Sequence, residues 1–472
     1  MARTFLSYDL DQRFLLPPDV REWLPEAHLA RFILDVVDTL DLAALMGAYT
    51  KTETRGRAGY DPKMLLSVLL YAYCVGLPSS RQIERRTHED VAFRVLSGNR
   101  HPDHDTIASF RKENLAALAA LFVQVLRLCQ EAGLVKLGNV CIDGTKVKAN
   151  ASKHKAMSYG RMCETEARLM AEVKALLESA EATDAEEDAQ SGKGKHGDEL
   201  PAELARRESR LAKIRAAKTA LEEQARRAAE EKAAEARAKN EARERKQKET
   251  GKKSGGRPAE VPKPEEVKPE PTAQRNFTDP ESRIMMDGAS KSFEQCYNAQ
   301  AAVDSTAQVI VAAAVTQQAN DKQQLVPMVE QLIAQSEARP AAVCADAGYY
   351  GAGALANEVL AGIDVLVPPD RMKRRDAPGE PGSTRAPADP RAEAMREKLR
   401  TDAGAELYRQ RKAVVEPVFG QIKEVRGFRR FSLRGRANVS AEWNIICLTH
   451  NLLKLFKAAT RLPVASTAIA LA

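Results

Sequence analysis

Three acidic residues, each in its own local setting, are the candidates for chemistry in this chain. Asp143 closes the apolar run Asn139-Val140-Cys141-Ile142 and precedes Gly144-Thr145-Lys146. Asp346 closes a second apolar run, Ala341 to Ala345, and precedes Ala347-Gly348-Tyr349-Tyr350. Glu416 lies in Val415-Glu416-Pro417-Val418-Phe419-Gly420-Gln421-Ile422-Lys423, which reads as a helix running into a basic stretch. Carboxylates at two strand ends plus one on a helix can converge on a pair of divalent cations. Such a pair, roughly 3.5–4 Å apart, clamps the attacking and leaving oxygens of an in-line phosphoryl displacement. Hard oxygen donors favour Mg²⁺, with Mn²⁺ able to substitute, over zinc.

Within this scheme Asp143 is the shared ligand, Asp346 completes one metal position, and Glu416 completes the other. Asp287, Asp304, Asp321 and Asp364 compete with them. Asp321 follows Asn320 and reads as a helix cap, while Asp287-Gly288 and Asp304-Ser305 read as turns. Basic residues accompany the acids. Lys146 and Lys148 follow Asp143 along its strand. Lys412 and Lys423 fall on or near the Glu416 face of its helix. Arg426, Arg429, Arg430, Arg434 and Arg436 are interleaved with Phe428 and Phe431. The arginines read as phosphate contacts and the phenylalanines as core.

The elements that must position these groups follow from periodicity. Residues 10 to about 135 carry helical spacing, as in Leu29, Phe32, Ile33, Val36, Val37 and Leu40. Ser79 is expected to cap the helix that begins Ser80-Arg81-Gln82-Ile83. An Asp or Thr cap within Pro102-Asp103-His104-Asp105-Thr106 leads into a short helix bearing Arg111 and Lys112. Two short basic helices after a turn form either a helix-turn-helix-like DNA reader or a plain helical bundle. From about 158 to 250 the sequence is rich in Ala, Glu, Lys and Arg. Sparse apolar stripes (Met162, Leu169, Val173, Leu176, Leu177; then Leu200, Leu204, Leu211, Ile214, Leu221) fit an antiparallel helical hairpin. The Gly/Pro/Lys/Glu-rich segment 251–275 is expected to be a flexible linker. Beyond 295 the pattern is strand-like, with strands at 297–304, 308–315, up to Asp346, and 364–367. Helices are expected at about 321–336, 351–361, 402–424 and 440–457, and a loop at 369–400. The layout is mixed α/β, with a central sheet and flanking helices.

The bulk properties agree. The chain has 472 residues, 44% apolar and 29% charged, with a formal net charge of +7, enough for two or three domains and compatible with a polyanionic partner. Its 7 cysteines are scattered without metal-ligand spacing, which indicates free thiols in a reducing cytoplasm. No apolar run is long enough to span a membrane, and the start lacks the apolar stretch of a signal peptide.

At these residues the chain strongly resembles bacterial insertion-sequence transposases of the DDE superfamily, and most closely the family conventionally numbered eleven eighty-two. The resemblance rests on Leu15-Leu16-Pro17-Pro18, Trp23-Leu24-Pro25-Glu26-Ala27-His28-Leu29, Tyr60-Asp61-Pro62-Lys63-Met64-Leu65-Leu66, Ser79 to Glu84 and Pro102 to Ile107. It continues through Asp143 to Lys146, Tyr297-Asn298-Ala299-Gln300, Ala345 to Tyr349 and the Glu416 segment. It implies a ribonuclease-H-like α/β catalytic domain with an all-α N-terminal domain and a long helical-hairpin insertion. It also implies Asp143, Asp346 and Glu416 as the metal-binding triad, Mg²⁺ as cofactor, double-stranded DNA (terminal inverted repeats and target) as partner, and a homodimer on DNA. The expected domains are 1–135, helical and binding DNA ends; 136–157, the first part of the catalytic domain; 158–275, the hairpin and linker; 276–460, the rest of the catalytic domain; and a tail, 461–472. The expected place of action is the bacterial cytoplasm, at the nucleoid when DNA is bound. A Tyr-Arg-Glu-Lys signature is partly matched by Tyr408, Arg411, Glu416 and Lys423. Arg411 lies five before Glu416 where the signature wants four, a place taken by Lys412, so either side chain is a candidate for the phosphate.

Three further protein classes compete with this one. Ile142-Asp143-Gly144-Thr145 echoes the signature of haloacid-dehalogenase-type phosphatases, but the position of their nucleophilic aspartate is Cys141 here. The second class is a transposase-derived DNA binder that no longer cuts, and the third is a stand-alone ribonuclease-H-like nuclease. The helical N-terminal region and the long insertion favour a transposase.

Overall fold

The computed structural model describes residues 19–47, 59–191, 200–250, 257–286, 291–351, 353–370 and 390–460. The Leu15-Pro18 motif and the tail from 461 lie outside the described residues, as does Asp287. The chain forms two compact units, one of residues up to Val147 together with those from Tyr297 onward, the other from Lys148 to Cys296.

Among its described residues the first unit begins with the helices α1 (Leu29–Thr39), α2 (Ala43–Gly47), α3 (Pro62–Cys74), α4 (Ser80–Glu89), α5 (Val91–Leu96), α6 (His104–Glu113) and α7 (Leu115–Glu131). Their starts follow local chemistry. The Asp61 carboxylate accepts from the Lys63 and Met64 amides ahead of α3, with Pro62 in the first turn, and Asp103 accepts from Thr106 ahead of α6. Ser79 stands at the N-cap of α4, but its hydroxyl makes no capping bond. Helix α3 is buried from Leu65 to Cys74 because it lies between the other helices and the helix Arg436–Ala459.

Strand β1 (Asn139–Lys148) opens the sheet and runs on past Asp143, so this residue sits within the strand rather than at its end. The second unit then follows in sequence. It contains β2 (Ala156–Ser158), helix α8 (Tyr159–Ser191), helix α9 (Leu200–Thr250), β3 (Gln274–Asn276) and β4 (Arg283–Met286). Glu166 pairs with Arg215 and Lys218, while the later Glu172 pairs with the earlier Arg207, so α8 and α9 are antiparallel. Met162, Leu169, Leu211, Ile214 and Leu221 form their shared core. The segment expected to be a free linker is tied down in part: Ala259 exchanges two hydrogen bonds with the Asn240 side chain, and Gln274–Asn276 pairs with β2. A backbone that finds partners gives up the freedom its composition suggests.

Strand β5 (Phe293–Asp304) pairs first with β4 and then, from Asn298, antiparallel with β6 (Ile310–Thr316). There follow α10 (Leu325–Ser336), β7 (Ala342–Ala345), β8 (Asp364–Leu366), α11 (Pro390–Arg400), α12 (Asp402–Gly420) and α13 (Arg436–Ala459). The strand order in the first unit is β6-β5-β1-β7-β8, with β1, β7 and β8 parallel. Helix α13 packs on β6, α7 and α3, with Trp443 fully buried and its Nε1–H donating to the Gln300 carbonyl at 2.9 Å. The mixed α/β layout and the helical N-terminal region are both present.

Two elements differ from the sequence pattern. In place of a helix over 351–361 there are two short 3₁₀ turns, Ala354–Ala356 and Glu358–Leu360. Asn357 ends the first and caps the second, and glycines flank the segment. The end of the expected 369–400 loop is helix α11, whose Ala392, Met395 and Leu399 are buried at helical spacing. Residues 371–389 lie outside the described residues.

Candidate active site

The register of two parallel strands brings the first two acids together. Ile142 of β1 pairs with Ala345 of β7, so the next residue on each chain is Asp143 or Asp346. Adjacent strands lie about 4.8 Å apart and in-register side chains share a face. Asp346 keeps an extended backbone (φ −78°, ψ 173°) and then caps a 3₁₀ turn, its Oδ1 accepting from the Gly348 amide at 2.8 Å. Asp143 Oδ1 accepts from the Gly144 amide at 2.8 Å, and Oδ2 pairs with Arg411 Nη1 at 3.1 Å. Burial pushes the Asp143 carboxyl up to about 6. Arg411 and the Gly144 amide oppose this rise, while Asp346 and Asp321 add to it.

Helix α12 runs along β1. Asn139 Nδ2 donates to the Leu407 carbonyl, Arg411 reaches Asp143, and Lys423 Nζ donates to Thr145 Oγ1 at 3.1 Å and to the Lys146 carbonyl at 3.2 Å. Arg411, Val414, Val415 and Val418 form the buried side of α12, and Glu416 is exposed on another side. Among the described residues no group of three His, Cys, Asp or Glu side chains is close enough to hold a metal ion. The strand register brings Asp143 and Asp346 together. The donor chemistry of the pair, all oxygen, suits a hard divalent cation.

A polar network missed by sequence reasoning lies beside this pair. Asn298 and Gln300, both fully buried on β5, donate to the same oxygen, Asp321 Oδ1, at 2.6 and 2.7 Å. The buried Tyr349 hydroxyl donates to Gln300 Oε1. A Cβ on Gly144 would overlap Gln300 Nε2 and stand 2.9 Å from both Asn298 Oδ1 and Asp321 Oδ1. Asp321 is thus not the cap of α10, whose N-cap is Gln324; its side chain turns to the strand instead. The available signal was Asn298 and Gln300 themselves. Polar residues two apart in a strand buried on every side demand partners.

The basic residues separate into two groups. Lys412, Arg429, Arg430 and Lys112 are exposed, Arg429 pairing with Glu424. Lys146 is half-buried, and Lys148 pairs with Glu294 at 3.2 Å. Arg426, Arg111 and Arg411 contradict the expectation of DNA contact, Arg411 being 8% exposed and paired with Asp143. Arg426 is 4% exposed and donates to the Tyr73 and Ile446 carbonyls and to Thr449 Oγ1. Arg111 is 8% exposed and donates to the Pro78 carbonyl and the Tyr73 hydroxyl. A guanidinium with its donors turned inward cannot track a phosphate. Phe428 and Phe431 are core. All 7 cysteines are free, Cys163 half-buried and the others buried, without a metal cluster among the described residues.

Family comparison fits this architecture. Residues 18–113 match the family described as Transposase domain (DUF772), and residues 277–452 match Transposase DDE domain. No match was found among curated proteins or among solved structures. The two matches together span more than half of the chain, which is accordingly a transposase. It belongs to the insertion-sequence transposases of the DDE superfamily, a group that binds DNA and generally uses divalent metal ions. No helix among the described residues is long and apolar enough to cross a membrane.

Proposed function

We propose that this transposase cleaves DNA at the ends of an insertion sequence and joins those ends to target DNA. The catalytic domain is read as ribonuclease-H-like, made of 136–157 and 276–460, with 1–135 holding the DNA ends and 158–275 as a helical insertion. The observation that carries the reading is the β1–β7 register, which sets two half-buried carboxylates side by side at the end of a parallel pair, with α12 laid along them.

Asp143 and Asp346 would hold a divalent cation, Mg²⁺ or Mn²⁺. When bound, it supplies the charge that activates the attacking oxygen and neutralises the leaving one. Glu416 is proposed as the third carboxylate because it rides on α12, whose Arg411 reaches Asp143, while Lys423, on the π-helical turn Gln421–Val425 that follows α12, reaches Thr145. Arg411 counters the repulsion between Asp143 and Asp346. The exposed Lys412, Arg429, Arg430 and Lys112 suit phosphate contact. A homodimer on paired ends fits a reaction that must handle two of them.

Asp143→Asn, Asp346→Asn and Glu416→Gln test the reading. Each is expected to lower cleavage of the DNA flanking the gene by more than about 100-fold, beyond the usual effect of an outer-shell partner, and to leave gel retardation of that DNA intact. Cleavage retained by one variant removes that residue from the triad. Binding without cleavage by the wild type would point to a DNA binder that no longer cuts.

A further inference from the structure

The network beside the two aspartates links the chain just after Asp143 to the chain just after Asp346. Tyr349 lies on the turn that Asp346 caps, and its hydroxyl donates to Gln300 Oε1. Gln300 Nε2 passes the connection to Asp321 Oδ1 at 2.7 Å, where Asn298 Nδ2 also arrives at 2.6 Å. Gln300 is anchored in turn by Trp443 Nε1, which donates to its carbonyl at 2.9 Å. On the other side, Gly144 follows Asp143 directly, and its missing Cβ is the space into which Gln300, Asn298 and Asp321 fit.

The polarity of this chain of bonds has one solution. A carboxylate accepts, so both amides must turn their NH₂ groups toward Asp321. That leaves Gln300 Oε1 as an acceptor, which only a protonated hydroxyl can satisfy. Tyr349 meets the requirement: burial, together with the nearby Asp321, Asp143 and Asp346 carboxylates, holds its hydroxyl protonated far above the usual range. Asn298 Oδ1 is buried without a hydrogen-bond partner, but the path Tyr349–Gln300–Asp321 is continuous, and continuous buried networks rigidify what they connect.

We propose that Tyr349, Gln300 and Asp321 form a brace that sets the spacing of Asp143 and Asp346, with Gln300 as the positioning residue between them. The proposal rests on the reading of those aspartates as cation ligands, and it assigns to Asp321 a hydrogen-bonding role and not that of a cap or a ligand.

Mn²⁺ binding to the full chain without DNA, followed by the electron paramagnetic resonance of free Mn²⁺, tests it alongside thermal melting. Tyr349→Phe removes one oxygen and is expected to weaken Mn²⁺ binding about tenfold, the scale of lost outer-shell partners, with its melting transition kept. Asp321→Asn retains an oxygen acceptor and is expected to bind within about threefold of wild type, whereas Asp321→Ala should resemble Tyr349→Phe. Wild-type affinity in Tyr349→Phe, with Asp143→Asn impaired, overturns the brace. A large loss in Asp321→Asn overturns it in favour of a direct role for the Asp321 charge. Unchanged binding in Asp143→Asn, or none in the wild type, would instead remove the cation reading beneath it. If Tyr349→Phe does not melt cooperatively, the Asp321→Asn and Asp321→Ala pair decides.

Discussion

Asp143 is held under opposing forces, and their balance is measurable. Burial raises its carboxyl from an ordinary 3.8 to about 6, although Arg411 pulls the other way. The folded chain therefore holds this proton more tightly than the unfolded chain does. The associated stability is complete below about pH 3.8 and is lost as the pH rises through about 6. Asp143→Asn lacks that titration. Its melting temperature should rise relative to wild type between pH 4 and pH 7, by the equivalent of about 1–3 kcal/mol. A difference that does not vary with pH would contradict this account. Adding Mn²⁺ at pH 7.5 should narrow the gap by stabilising the wild type alone, since a ligand bound only by the folded state raises its melting temperature.

The strand β1 and the helix α12 decide how the site is built. Gly144 cannot be larger, because a methyl group there meets Gln300, Asn298 and Asp321 together. Gly144→Ala should cost about 1–3 kcal/mol of stability, as overpacking does, and lower cleavage at least tenfold by shifting the aspartates. Gly138, with open space around its Cβ position, provides the control, and Gly138→Ala should retain cleavage. On α12 burial separates Arg411 from Lys412. Arg411 pairs with Asp143 and Lys412 is exposed. Lys412→Ala should flatten the logarithmic salt dependence of DNA affinity by about one unit without harming the fold. An unchanged slope would remove Lys412 from the DNA interface.

Across the first unit, charges do two different jobs. Arg426 joins α3 to α13 from the inside, and Gly76 leaves room for it: a Cβ there would overlap the Arg426 carbonyl. Arg426→Met should destabilise the unit by about 3–5 kcal/mol through the unpaired carbonyls and the lost packing, with the salt slope of DNA binding unchanged. Arg430→Ala should do the opposite, lowering the slope and sparing the melting temperature. Denaturation and a salt titration of both variants separate the two roles. The one-dimensional pattern contained no sign of this division, since Arg426 and Arg430 stand in the same basic run.

Local sequence determined much of this protein. Apolar spacing marked the N-terminal helices, the hairpin stripes and the strands leading to Asp143 and Asp346, because burial imposes its period on the residues themselves. Motifs sufficed for the superfamily. Only the tertiary structure decided that Asp143 and Asp346 are neighbours, because a parallel register joins residues about two hundred apart in sequence. It likewise decided that Asp321 turns to β5 instead of capping α10, and that Arg111, Arg411 and Arg426 are interior. Hydrogen-bond partners across a sheet are chosen by strand order, and no local spacing encodes that choice.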